Sequence, residues 1–290
     1  MENGFVVVDD DDIIKVHVHT NEPDKALKRA LTYGELTNIK IDNMRYQHSE
    51  KVVEAEEAAV EAASEPFIAP AETKYGFAVV AAGEGIMNVF RDLGANTMVE
   101  GGQTMNPSTD DILAAINATP SEVVFVLPNN KNIIMAAQQT VELTEKQVVV
   151  LETKTMPQGI SAMLAFDPDS DVEQNVEAMM GAAKNVSTGS ITYAARDSEF
   201  DGHSIKEGEY LALNEGKLSS SGPDLDVVVN QLISDMGVED CGFVTVFYGE
   251  GVNADDASAV EAICKEKAQD AEVMLLDGGQ PVYYYLISAE

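Results

Sequence analysis

From about residue 75 onward the chain repeats one pattern: a short run of consecutive apolar residues, then a segment with helical spacing. The runs are Phe77 to Ala81, Thr97 to Val99, Val123 to Leu127 and Val148 to Leu151, and the segments after them are Glu84 to Leu93, Asp110 to Ile116, Asn132 to Leu143 and Gln158 to Leu164. Strands buried on both faces lose the alternation of a half-exposed sheet, so this grammar predicts a parallel, doubly wound α/β lobe. From Asp169 the pattern changes. A helix over Val172 to Ala183 precedes an extended stretch at Ser190 to Ala195 and a hairpin over Tyr210 to Leu218, whose Asn214-Glu215-Gly216 tip suits a tight turn. Helices at Asp224 to Met236 and Ala257 to Ala268 then alternate with strands at Phe243 to Phe247, Glu272 to Leu276 and Val282 to Ile287. The expectation is a second α/β lobe joined to the first, so that residues 75–290 form one two-lobed domain.

The front of the chain is different. Phe5 to Val8 and Ile13 to Val18 flank an Asp9-Asp10-Asp11-Asp12 tip and predict a β-hairpin, followed by a short helix over Pro23 to Thr32 and a strand near Leu36 to Ile41. Two or three strands and one helix cannot close a core alone, so residues 1–48 read as a small α+β piece of a larger domain or as half of an intermolecular assembly. Residues 49–74 read as an acidic linker, in which glutamates from Glu50 to Glu72 alternate with Ala and Val around Pro66 and Pro70.

Charge removes one class of function. The chain of 290 residues has 18 Lys plus Arg against 50 Asp plus Glu, a formal net charge of -32. A basic surface for nucleic acid or for anionic membrane is therefore excluded. A hydrophobic share of 45% alongside 23% charged residues leaves a normal core complement under that acidic excess. Two cysteines, Cys241 and Cys264, build neither a disulfide framework nor a four-thiolate zinc site, which fits a reducing cytoplasm. No stretch approaches the roughly 20 apolar residues of a membrane span, and the N-terminus carries no basic leader, so the chain reads as soluble and untargeted.

Ligands of open parallel sheets bind beyond the carboxyl ends of the strands, where loops meet the positive ends of helices. Those loops contain Thr104 and Asn106 after the second run, Asn129, Asn130 and Lys131 after the third, and Lys154, Thr155 and Gln158 after the fourth. Only ten Lys or Arg occur in residues 75–290, and two of them, Lys131 and Lys154, fall in successive loops of this rim, where together they could hold an anion. The plainer reading is that Asn130, Ser108 and Thr109 cap helices, with Asp111 at capping-box spacing from Ser108, and that the lysines are solvated. Gly83-Glu84-Gly85 begins like a dinucleotide fingerprint, yet Asn88 replaces the third glycine and Glu84 would repel a pyrophosphate. Neither a phosphate-cradling Gly-Lys-Ser/Thr loop nor a Gly-x-Ser-x-Gly elbow occurs, so no catalytic residue is assigned. His17 and His19, at i and i+2 on a strand, share a face and supply two nitrogens of an incomplete metal site, with His48 or a carboxylate as weak completions. The alternative for the pair is a surface or interface position.

Four ordered motifs carry a family likeness: Glu100-Gly-Gly-Gln-Thr-Met-Asn-Pro-Ser-Thr109, Leu127-Pro-Asn-Asn-Lys-Asn-Ile133, Thr153-Lys-Thr-Met-Pro-Gln-Gly159 and Gly278-Gly-Gln-Pro-Val-Tyr283. They resemble the C-terminal region of the FakA (YloV) family, the kinase component of bacterial fatty acid kinase, often labelled dihydroxyacetone-kinase-like. Lys15-Val-His-Val-His-Thr-Asn21 and Ile39-Lys-Ile-Asp-Asn-Met-Arg45 are similar to the end of that family's central domain. The resemblance implies a DegV-like fold for residues 75–290, a role in dimerisation for the central domain and, as partner, a fatty-acid-binding DegV-family subunit. It also implies that ATP and magnesium belong to an N-terminal kinase domain without counterpart here, so that the chain alone holds no cofactor. His17 and His19 match the two histidines of the family's zinc site, whose cysteine would lie upstream of Met1. The first strand ends in Ala-Ala-Gly-Glu where DegV proteins have Thr-Asp-Ser, and the closing motif lacks their His-x-Gly. The function implied is therefore docking of the fatty-acid carrier, with direct binding of a small molecule or fatty acid by the rim loops as the alternative.

Overall fold

The computed structural model describes residues 5–10, 13–18, 23–33, 68–102, 106–200 and 203–290, in two units, Met1–Glu65 and Pro66–Glu290. In the first unit β1 (Phe5–Asp10) pairs antiparallel with β2 (Ile13–Val18), Phe5 opposite Val18 and Asp10 opposite Ile13. Helix α1 (Pro23–Ala30) follows, with proline at its first position and Lys28 and Arg29 in its last turn, both suited to the dipole and free groups of helix ends. The expected strand near Leu36, His48 and residues 49–67 of the expected linker lie outside the described residues.

The second unit begins with β3 (Thr73–Ala81), β4 (Thr97–Glu100), β5 (Ser121–Leu127) and β6 (Gln147–Val150), a parallel sheet in the order β4-β3-β5-β6. Each strand leads into a helix: α2 (Glu84–Asp92), α3 (Thr109–Ala118), α4 (Ile134–Gln139) and α5 (Met156–Leu164). A further helix, α6 (Val172–Asn185), packs on α5. Side chains alternate between the two faces. Ala78, Val80, Val124 and Val126 pack with Ile112, Ile116 and Ile133 on one side, while Phe77, Val79, Phe125 and Leu127 pack with Phe90, Met163 and Met179 on the other. Burying each such branched or aromatic side chain contributes on the order of 1.5–3 kcal/mol, so the continuous apolar runs are what make this the central sheet.

Ser108 caps α3 in a capping box: its Oγ accepts the Asp111 N–H at 3.1 Å and the Asp111 carboxylate accepts the Ser108 N–H at 2.9 Å. The helix expected over Asn132 to Leu143 is shorter. It tightens into a 3-10 turn at Thr140–Glu142, where the Thr140 hydroxyl donates to Ala137 O at 2.6 Å and the Leu143 N–H reaches back only to Thr140 O.

The second lobe is a six-stranded mixed sheet. Its strands are β7 (Ser187–Tyr193), β10 (Tyr210–Asn214), β11 (Lys217–Gly222), β12 (Phe243–Tyr248), β13 (Glu272–Asp277) and β14 (Tyr285–Ala289), in the order β11-β10-β7-β14-β12-β13. A two-stranded ribbon, β8 (Ser198–Phe200) with β9 (His203–Ile205), rises between β7 and β10. Glu215 and Gly216 have φ of 51° and 76°, the two left-handed positions of a type I′ turn, which matches the right-handed twist of β10 and β11. Only β12 and β13 run parallel; β14 returns antiparallel between β7 and β12. One face is covered by α7 (Leu225–Met236) and α8 (Ala254–Lys267) over Val244, Val246 and Ile287. From the other face Phe247 and Leu286 enter the same buried cluster as Phe77 and Phe125. The two lobes thus share a core.

Candidate functional site

The strand order reverses between β3 and β5, since β4 lies on one side of β3 and β5 and β6 on the other. In such sheets the crevice beyond the carboxyl ends of those two strands is where ligands bind. Its floor here is Asn129, which follows β5, is buried, and takes a left-handed φ of 53° that asparagine tolerates better than most side chains. Its Nδ2 donates to Val80 O at 3.0 Å, across to β3, and its Oδ1 accepts from the Thr153 hydroxyl at 2.8 Å, across to the loop after β6. Its own N–H donates to Thr153 Oγ1 at 3.2 Å. Gly159 on α5 rests against this amide, and a Cβ there would run into Asn129 Oδ1. Asn129 therefore locks three strand ends and one helix together, and its polar atoms are spent inside the protein.

The same holds along the rim. Asn130 is buried and its Oδ1 accepts the Asn132 N–H at 2.9 Å, a local Asx turn. Thr155 caps α5 by accepting the Gln158 N–H at 3.3 Å, and its hydroxyl lies 2.9 Å from that of Thr188 on β7, a hydrogen bond from one lobe to the other. The Gln158 Oε1 accepts the Lys154 N–H at 2.9 Å. Lys131, Lys154 and Asn106 are exposed, and Asn106 lines an open groove with Met98, Glu100, Pro107 and Ala114. Thr104 and His19 lie outside the described residues, and His17 is described only as the residue opposite Val6 in the β1–β2 ladder.

The start of α2 is the other place where a parallel sheet would receive an anion. Here the loop after β13 fills it. Gly278 O accepts the Ile86 N–H at 3.2 Å, and a Cβ on Gly83, whose φ is 93°, would run into Gly278 O or the Gln280 backbone. A carbonyl oxygen thus takes the position that a phosphate oxygen would need, so the Gly83-Glu84-Gly85 turn does not fit a nucleotide. Gln280 is buried; its Nε2 donates to Phe247 O at 3.0 Å and Tyr283 O at 3.4 Å, and its Oε1 has no partner in the structure. Beyond it, the Tyr283 N–H donates to Pro281 O at 2.8 Å around Val282, whose φ of 74° strains a β-branched residue. Among the described residues no group of three or more His, Cys, Asp or Glu side chains could hold a metal ion. No helix of the described residues is long and apolar enough to cross a membrane.

Strand ends in the sequence locate these loops but do not reveal what their side chains bond to. Thr153, Thr188 and Gln280 join the crevice from outside the expected set. A signal existed for Thr153 and Gln280, which lie in two of the four motifs, whereas Thr188 reaches Thr155 only because the two lobes meet.

Comparison with known proteins gives this geometry a family. The family model for FakA-like fatty acid kinase proteins, C-terminal, matches residues 76–290, and that for the middle domain matches residues 2–51. Protein YloV of Bacillus subtilis is 41% identical over 288 residues, which cover 99% of this chain and 51% of that protein. The chain spans about half the length of the curated relatives it matches. Among solved structures, a DegV family protein of Corynebacterium glutamicum aligns at a TM-score of 0.56 and 13% identity, over 75% of this chain and 96% of the other. The Streptococcus pneumoniae fatty acid kinase B3 protein, loaded with linoleic acid, aligns at 0.51 and 11%, over 75% and 99%. Likeness at that identity is likeness of fold, and the fold is the two-lobed DegV-like one expected from the sequence.

Proposed function

The chain belongs to the FakA-like family of fatty acid kinase proteins, and from that premise we propose that its DegV-like domain docks a fatty-acid-carrying DegV-family subunit rather than a free ligand. On this reading residues 75–290 are the docking domain, residues 1–48 an oligomerising piece of the middle domain, and residues 49–74 a spacer whose last two residues, Thr73 and Lys74, already belong to β3. Phosphoryl transfer to the carried fatty acid, with its ATP and magnesium, would come from the part of the longer relatives that this chain does not span. Any zinc at His17 and His19 would need ligands from that part too.

One observation carries the reading: the strand-end crevice is closed by the protein's own groups. Asn129 and Thr153 bond to each other, Thr155 bonds to Thr188, and Gly278 O occupies the start of α2. A binding site keeps convergent polar groups available for its ligand; here they converge on one another. The test is titration calorimetry of the chain with the DegV-family subunit encoded in the same genome, loaded with oleate. A saturable complex is expected, with no acyl phosphate formed when ATP is added to this pair alone. Absence of a complex, or turnover by this chain, would sink the proposal.

A second reading has a specific observation in its favour, since exposed Lys131 and Lys154 have no side-chain partner among the described residues beside the rim. If they hold a carboxylate, native mass spectrometry shows a fatty-acid-sized adduct that Lys131→Ala with Lys154→Ala removes.

A further inference from the structure

Away from the crevice, the outer margin of the second-lobe sheet carries groups that no other strand among the described residues uses. β13 ends the strand order. The Glu272 N–H donates to Gly242 O and the Gly278 N–H to Tyr248 O, both inward, so alternation along the strand turns the N–H and C=O of Val273, Leu275 and Asp277 outward. The Asp277 carbonyl is covered, because the start of α2 lies against it and a Cβ on Gly85 would collide with it. The open length is therefore Val273 to Leu275.

Beside that opening lie two large apolar side chains, Phe243 at 56% exposure and Met274 at 44%. Phe243 pairs with Glu272 and Thr245 with Met274, so Phe243 and Met274 are diagonal neighbours on one face. Carboxylates surround them. Glu272 is on β13, Glu239 and Asp240 precede Cys241, and Glu290 follows β14, its carbonyl accepting the Phe243 N–H at 3.1 Å. Three of them reach Cys241, whose thiol is held above its ordinary range by burial first and then by Asp240, Glu239 and Glu290. The lysines nearest in sequence are engaged elsewhere: Lys265 pairs with Glu261 at 2.8 Å, and Lys267 lines a depression with Asp224 and Asp226. Among the described residues no ion pair neutralises the four carboxylates.

We propose that the fatty-acid-binding subunit docks at this edge by adding an extended segment to β13. An apolar side chain of that segment seats against Met274 and Phe243, and its Lys or Arg side chains face Glu272 and the Glu239–Asp240 pair. The inference rests on the docking reading above and names its surface. Strand addition draws affinity from main-chain hydrogen bonds and specificity from the flanking side chains. Only two residues present outward N–H and C=O groups, so the apolar pair and the charges decide the outcome. A second copy of this chain is the wrong occupant. Antiparallel self-pairing about Met274 and Leu275 sets Glu272 opposite Asp277, and parallel self-pairing sets each acid opposite itself, both repulsive.

The experiment titrates the oleate-loaded subunit into wild type, Glu272→Lys, Met274→Asp and Glu173→Lys, the last an exposed acid on α6 that makes the same change in net charge. Both edge side chains are exposed, and thermal melts verify that each variant is folded. Glu272→Lys and Met274→Asp should each weaken binding at least tenfold, against less than twofold for Glu173→Lys, and the Val273 and Leu275 amides should exchange more slowly in the complex. If the wild type binds while the edge variants bind as well as it does, or while Glu173→Lys is as damaging as Glu272→Lys, this surface is wrong and the docking reading stands. No binding by the wild type overturns both.

Discussion

Asn129 shows how much one side chain can hold. Its amide satisfies a carbonyl on β3 and a hydroxyl after β6, and its left-handed backbone turns the chain out of β5. In Asn129→Ala the Val80 carbonyl stays buried without this donor, at a cost of about 1–3 kcal/mol, the Thr153 hydroxyl exchanges its 2.8 Å acceptor for a 3.4 Å bond to Leu151 O, and alanine is poorly suited to the positive φ. Urea unfolding should show a loss of roughly 2–4 kcal/mol, and a loss below half a kilocalorie would mean that water replaces the amide. The opposite effect is expected at Val282. Val282→Gly removes a β-branched side chain from φ 74° and should raise stability by about 0.5–1 kcal/mol, a part of the strain being returned as unfolded-chain entropy. Titration adds a third case. Burial pushes both the Cys264 thiol and the Tyr285 phenol up to about 12. These groups keep their protons in the folded state at pH values where the unfolded chain loses them. Their stability contribution is therefore complete below about pH 9, where unfolded thiols begin to ionise, and falls as pH rises towards 12. Equilibrium unfolding between pH 8 and 11.5 should show that decline, and Cys264→Ala should make it shallower between about 9 and 10, where the remaining raised thiol is Cys241.

At the scale of elements, strand and helix identity was legible wherever burial wrote a continuous or periodic pattern. Phe77 to Ala81 announces a doubly covered strand, and Ser108 with Asp111 announces the start of α3. That start is itself testable: Ser108→Ala should cost about 1 kcal/mol, read as a lower melting temperature. Three features were not legible, for physical reasons. β8 (Ser198–Phe200) and β9 (His203–Ile205) form a ribbon without apolar alternation, because three-residue strands are too short to write a period of two. The expected strand from Val282 begins only at Tyr285, since the hydrogen bond from Tyr283 to Pro281 turns the chain sharply before it. The antiparallel insertion of β14 between β7 and β12 depends on partners about 40 and 100 residues away, which no local pattern reports. The site fared similarly. Its loops could be located from strand ends, yet whether Asn129 or Thr155 serves a ligand or the scaffold was decided by what stands opposite each, on a different strand or the other lobe.

For the whole molecule, charge is the dominant long-range property. A net -32 spread over one chain repels copies of itself and draws a basic partner from a distance set by ionic strength. The association rate with the fatty-acid-binding subunit should fall several-fold between 50 and 500 mM salt in stopped-flow measurements, with a smaller change in dissociation. A salt-independent rate would mean that the acidic surface serves solubility alone.

The placement of β14 has a consequence for biosynthesis. Both of its neighbours, β7 and β12, leave the ribosome before it, and at roughly 5–20 residues per second the interval between β7 and β14 is about 5–20 seconds. Throughout that time the strand at the middle of the second sheet is missing, so β7, and β12 once it is made, each present an edge of unpaired backbone N–H and C=O groups to their surroundings. The first lobe, whose four strands are complete by Val150, can mature meanwhile. The nascent second lobe is thus the part of this protein that a chaperone has most reason to hold.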